Sequence, residues 1–170
     1  FSPSDNVNNT IINHIRTANT DLEVAVMLLT RREIAYAVSD VADSSVMVSF
    51  LVNSKEGCIT QTGTPAVDDY RVVNAIVSAC QGRFIDYNGG GIMHNKYMIV
   101  DQSNPASDPF VWTGSHNWSA SADMDNDENS IAIHDATIAN IYYQNFAKII
   151  TTGDVIYDVN NLNLPANSLK

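Results

Sequence analysis

Positive charge is scarce in this 170-residue chain: nine Lys and Arg stand against 19 Asp and Glu, a formal net charge of −10. The cations are scattered from Arg16 to Lys170 and form no basic stripe. A duplex-DNA binder gains affinity by neutralising phosphates with clustered Lys and Arg. This surface should on average repel a polyanion, with room for one local basic pocket. Apolar runs are short, and none approaches the roughly 18 residues that a membrane-spanning helix needs. Cysteine is rarer still, with Cys58 and Cys80 in a spacing that fits no zinc pattern. They are either two separate thiols or a disulfide tying a loop to the end of a helix. Such a bond would close a loop of about 22 residues, add about 3 kcal/mol in the chain-entropy model and imply an oxidising compartment. The first residue is Phe1, not Met, which reads as processing from something longer. Together with the candidate disulfide, it gives the expectation of a secreted or periplasmic protein.

What remains is globular material. Hydrophobic residues make up 45% of the chain, enough for one domain with a full core. Helical spacing of Val7, Ile11, Ile12 and Ile15 predicts a first helix, with Ser4 or Asp5 as its N-cap. "LEVAVMLL" reads as a strand. Thr30 and Glu33 form a capping box ahead of a helix built on Ile34, Ala37, Val38 and Val41. "VMVSFLV" is a second strand, "VDDYRVVNAIVSAC" a third helix stopped at Gly82, and "RFIDY" a short strand. "KYMIV", "FVWT" and "ENSIAIH" are further strands, followed by a closing helix, "DATIANIYYQNFAKII". Strands apolar on both faces and alternating with helices predict an α/β sandwich, a mixed sheet flanked by helices on both faces. Residues 1–158 read as one domain and 159–170 as a tail or linker.

Chemistry gathers at three strand ends. In "HNKYMIVD", His94 and Lys96 are two apart and project from one strand face, with Met98 and Val100 following into the core. Asp101 is an odd number of residues from His94 and should point to the opposite face. In "GSHNWS", Ser115 and Asn117 are again two apart, and Gly114 allows close backbone approach. "DNDEN" places Glu128 at the start of the next strand. An imidazole, an ammonium, a hydroxyl, an amide and a carboxylate suit attack on a phosphodiester. Neutral His is a competent nucleophile, Lys meets a phosphate oxygen, preorganised donors stabilise its charge, and a carboxylate can fix the His tautomer. "DMDNDEN" spaces acids superficially like a calcium loop but lacks its Gly and its closing Glu, so no metal is assigned. His116 either lines the pocket or faces away, and His14 and His134 read as structural or solvated.

These stretches resemble the phospholipase D superfamily, whose signature is H-x-K-x4-D followed by G-S-x-N and a downstream acid; "FSP" at the start is also similar. The resemblance implies His94 as nucleophile, Lys96 and Asn117 as phosphate ligands, Ser115 in support, Glu128 orienting His94, and Asp101 completing the motif in a structural role. It implies double displacement through a phosphohistidine with no metal or other cofactor. The expected activity is a phosphodiesterase acting on a phospholipid headgroup. The alternatives are an endonuclease of the same superfamily, or one half of a tandem protein that is inactive alone. The family uses two H-x-K motifs per site and this chain has one. A homodimer sharing one site, or a second domain of the same parent chain, is therefore expected.

Overall fold

The computed structural model describes residues 1–58, 76–81, 83–87 and 89–152. Most of the predicted third helix, Gly82 and the tail 159–170 lie outside them; residues 76–79 are helical. Six strands form one mixed sheet in the order β3-β2-β1-β4-β5-β6. They are β1 (Asp21–Val26), β2 (Met47–Val52), β3 (Phe84–Asp86), β4 (Lys96–Val100), β5 (Phe110–Gly114) and β6 (Ser130–His134). The first three run parallel, and β4, β5 and β6 add antiparallel to one another. The antiparallel part is the run of strands that the sequence places with no long helix between them.

The alternation of each strand splits its side chains between two cores. Val24, Phe50, Met98 and Trp112 face one side, where α1 (Val7–Ile15) and α2 (Arg32–Asp43) cover them. Ala25, Leu51, Tyr97, Ile99 and Val111 face the other and meet Ala139, Phe146 and Ile149. Those three belong to the long closing helix at Ala136–Thr152, called α4 below; α3 is a short helix at Ala120–Met124. The predicted sandwich is thus formed, with helices on both faces.

Two helix starts differ from expectation. Residue Asn6, in the left-handed region at φ 50°, caps α1 with no side-chain bond, while Ser4 and Asp5 bond to each other. The Thr30–Glu33 capping box is not made. Helix α2 begins at Arg32, because the Thr30 amide donates to the carbonyl of Trp118 at 2.8 Å. Tertiary pairing has taken the residue that would have capped the helix. Glu33 lies 3.6 Å from Arg31 instead. Asp135 does cap α4, its Oδ1 accepting from the amides of Thr137 and Ile138. The disulfide is not formed: Cys58 and Cys80 are free thiols, both packed inside the α1–α2 core. Burial pushes each up to about 11.

Glu23 occupies the centre of β1, on the α4 side, 5% exposed and with Oε2 lacking any partner. Burial, and then the neighbouring charge of Asp21, raises its pKa well above the usual carboxylate range. A carboxyl that holds its proton more tightly when folded makes the native state lose stability as pH rises. The window runs from the usual Glu value of about 4.3 up to the raised folded value, at about 1.4 kcal/mol per unit. Glu23→Gln should remove that decline. Urea unfolding at pH 5 and pH 8 should show a smaller difference for the variant than for the parent; equal differences would mean that Glu23 ionises freely in the fold.

Candidate active site

The site forms where β4 begins and β5 ends. Pairing with β1 sets Lys96 opposite Val26, and the Met27 amide continues the ladder to the carbonyl of Asn95 at 2.8 Å. His94 stands just outside the sheet and is exposed, whereas Lys96 is buried at 8%. The ammonium of Lys96 donates to the His94 carbonyl at 3.0 Å and lies 3.3 Å from both imidazole nitrogens. Equal distances mean that it points along neither nitrogen's lone pair. The lysine therefore sits beside the ring without occupying the position from which a nitrogen would attack. Burial lowers the pKa of Lys96, and the charge of Glu128 acts the other way.

The second segment is held by close backbone approach. Gly114 has φ 154°, and a Cβ there would stand 2.1 Å from the carbonyl oxygen of Asn129, so only glycine fits. Beside it, the Ser115 amide donates to the Asn129 carbonyl and the Ser115 hydroxyl accepts from the Asn129 amide at 3.1 Å. The hydroxyl hydrogen of Ser115 is left to donate outward. Trp118 anchors the far end of the loop. Its amide donates to Leu28, its carbonyl accepts from Thr30, and its ring meets Phe50 edge-on at 6.0 Å. Between these fixed points the Asn117 amide oxygen is buried without a partner.

Glu128 is placed differently from expectation. It makes no hydrogen bond to His94; Oε1 accepts from Asn126 Nδ2 at 3.1 Å. The charge of its carboxylate acts on both Lys96 and His116. Ser2 fixes this corner, donating its amide to the Glu128 carbonyl and its hydroxyl to that of Ala122. His116 is 3% exposed, does not line the cleft at His94, and has neither ring nitrogen bonded. Burial lowers its pKa against the pull of Asp123 and Glu128. His14 packs on Phe110 and Trp112, and His134 bonds to Asp108; both lie apart from the site.

Asp101 is brought to the far end of β4, away from His94. Fully buried, at φ 55°, it gathers the Asn19 and Thr20 amides at 2.8 Å, the side chains of both, and Ser107 Oγ at 2.5 Å. In the "DMDNDEN" stretch, Asp123 takes bonds from Asn8 and lies 3.6 Å from Arg31. Among the described residues no three His, Cys, Asp or Glu side chains converge as a metal ligand set.

Sequence reasoning did not find the wall that α4 contributes. A cleft of about 410 Å³ opens at His94 and Lys96 and is closed on its other side by Ile141, Tyr142 and Asn145. The available signal was Asn145, an amide among the apolar positions of a helix face.

Comparison with known proteins gives concordant findings. The family model described as "Cardiolipin synthase, PLD-like domain" matches residues 11–150. The "Phospholipase D" of Rickettsia bellii is 46% identical over 56 residues, 33% of this chain and 25% of that protein. That of Rickettsia prowazekii is 40% identical over 67 residues, 39% of this chain and 30% of that protein. The matched segments therefore span well under half of these relatives. Among solved structures, Nuc from Salmonella typhimurium, a phospholipase D family member, superposes with a TM-score of 0.70 at 22% identity, covering 86% of this chain and 88% of that one. NucT from Helicobacter pylori gives 0.67 at 21% identity, over 84% and 86%. At these identities the likeness is one of fold.

The carboxylate of Asp101 is raised by burial, but the bonds from Ser107, Thr20 and Asn19 outweigh this and leave its pKa lowered. Its stabilising effect is therefore present above the unfolded value of about 3.9 and is lost as pH falls through the depressed folded value. Asp101→Asn should destabilise by about 2–3 kcal/mol near neutral pH, since the charge-assisted bonds go and an amide NH2 would face donors. It should spare the geometry at His94. A thermal melt read beside residual turnover checks this; an unchanged melt with dead chemistry would place Asp101 in the reaction instead.

Proposed function

This chain belongs to the phospholipase D superfamily, and we propose that it is a phosphodiesterase that works through a phosphohistidine at His94. The observation that supports this reading is the contact between an exposed imidazole and a buried ammonium at one strand end. A ring nitrogen of His94 attacks phosphorus, and the bond to the leaving oxygen breaks as that oxygen takes a proton from a general acid. Water then attacks the phosphohistidine, giving its proton to the conjugate base of that acid, and the P–N bond breaks to free the imidazole. Lys96 balances the single charge of the diester, while Ser115 and the amide of Asn117 donate to its oxygens. The charge of Glu128 opposes the lowering of the Lys96 pKa by burial.

The substrate reading that the chain's charge favours is a phospholipid headgroup ester, since the net charge of −10 opposes the approach of a polyanion. Nucleic acid is the second reading. None of the residues given a role requires a metal, so activity should persist undiminished in EDTA. Headgroup release from phosphatidylcholine and degradation of plasmid, both assayed in EDTA, separate the two substrates. Activity that disappears in EDTA and returns with calcium or magnesium would end the phosphohistidine mechanism.

The general acid is the missing part. His116 is buried away from the cleft and burial lowers its pKa, so it is poorly suited to the task. A second copy of the chain would supply an equivalent His94 and Lys96 across a two-fold axis, one imidazole attacking and the other protonating. In mixtures of wild-type and His94→Asn chains, the isolated heterodimer should be nearly inactive. Half of the wild-type turnover would mean that each chain works alone.

A further inference from the structure

The chain at His94 is held by side chains rather than by the sheet. Pairing of β4 with β1 ends at Lys96 and Val26, and the Met27 amide adds one more rung at the Asn95 carbonyl. His94 lies beyond that rung. Just upstream the sequence is "GGGIM", with Gly91 at φ 94°, and a run of glycines leaves the backbone many conformations. A nucleophile needs the opposite, reacting atoms kept close to one geometry.

Two amide side chains supply that constraint. Asn53 stands one residue past the Val26–Val52 pair, at the end of β2, and its Oδ1 accepts from the Met93 amide at 2.8 Å. Asn145 comes from α4. It is buried, and its Oδ1 accepts from the Tyr97 hydroxyl at 2.7 Å and from Asn95 Nδ2 at 3.4 Å. The shorter bond is the stronger, so Tyr97 orients the Asn145 amide and Asn95 rests on an acceptor already in place. Met93 is itself buried in the α4-side core, and Tyr97 meets Tyr142 edge-on with centroids 5.0 Å apart. The odd-numbered residues 93, 95 and 97 are thus anchored toward α4. Alternation then sends His94 and Lys96 to the opposite side. The strand pattern continues from Lys96 out to Met93 because these anchors take over from the ladder.

We infer that Asn53 and Asn145 are positioning residues for His94, one fixing the chain just before the imidazole and the other just after it. The inference rests on the reading of His94 as the nucleophile and adds how its place is kept. Asn145 lines the cleft, whereas Asn53 does not, which makes Asn53 the cleaner probe. Asn53 acts as an acceptor toward a backbone amide, a role that a carboxylate can fill and an alkyl group cannot.

Hydrolysis of bis(p-nitrophenyl) phosphate tests it. Asn53→Ala and Asn145→Leu should each lower kcat at least about tenfold, the scale of a misplaced reacting group, with KM within about threefold of wild type. A bond with a structural role alone would lower Tm by about 2–4 °C and leave kcat in place. Asn53→Asp, which keeps the acceptor, should bring kcat back to within about threefold of wild type. A second readout needs no substrate: the order parameter of the His94 backbone amide should be about 0.85 in wild type and below about 0.6 in Asn53→Ala. Should Asn145→Leu fail to fold, the two Asn53 variants carry the test. An unchanged kcat, a change confined to KM, or an Asn53→Asp chain as slow as Asn53→Ala would overturn the inference. Loss of order at His94 in a protein whose wild type cleaves no diester would remove the nucleophile and leave the bracket standing. Lost turnover with His94 still ordered would remove the bracket and leave the hydrolase.

Discussion

The register between β1 and β4 governs the rest of the structure, and it is pinned at both ends. At one end Asp101 ties the entry of β1 to the exit of β4 through the amides of Asn19 and Thr20. At the other the Met27 amide holds the carbonyl of Asn95. Side chains in a strand alternate, so a slip of one residue would send every one to the opposite core. Lys96 would then face α4 and Tyr97 the α1–α2 side. A carboxylate at the far end of the strand thus decides where the ammonium points.

Much of this was legible in the sequence, because burial on both faces leaves an unambiguous record. The six strands, the mixed sheet and the flanking helices follow from apolar runs and helical spacing. His94 and Asp101 are kept apart by the length of β4, at whose opposite ends they lie, rather than by the odd interval between them. What failed were inferences from local bonding. Thr30 and Glu33 have the residue types of a capping box, yet the carbonyl of Trp118, far off in sequence, claims the Thr30 amide. The motif sets Glu128 on His94, whereas its carboxylate accepts from Asn126 and its charge acts on Lys96 and His116. The two cysteines proved to be core residues, which no spacing rule separates from a bonded pair. The α4 wall left only the faint signal of one amide on an apolar helix face.

The loop after β5 stores part of the stability that the rest of the fold supplies. Both ring nitrogens of His116, the amide oxygen of Asn117 and the hydroxyl of Ser130 are buried without partners. Leaving such a group unmade costs about 1–3 kcal/mol. The loop does not relax to satisfy them because Gly114 and Trp118 fix it on either side.

The central position of β1 has a consequence for how the chain reaches this state. One neighbour, β2, follows after a single helix, but the other is β4, and Leu22 must wait for Val100. Contacts so remote in sequence close late and slow the search for the native topology. Until β4 is made, β1 presents an unpaired hydrogen-bonding edge along an apolar strand, the kind of surface that invites other chains. During synthesis the first half of the molecule therefore emerges with its most adhesive edge uncovered, and it stays so until the segment carrying His94 and Lys96 has left the ribosome.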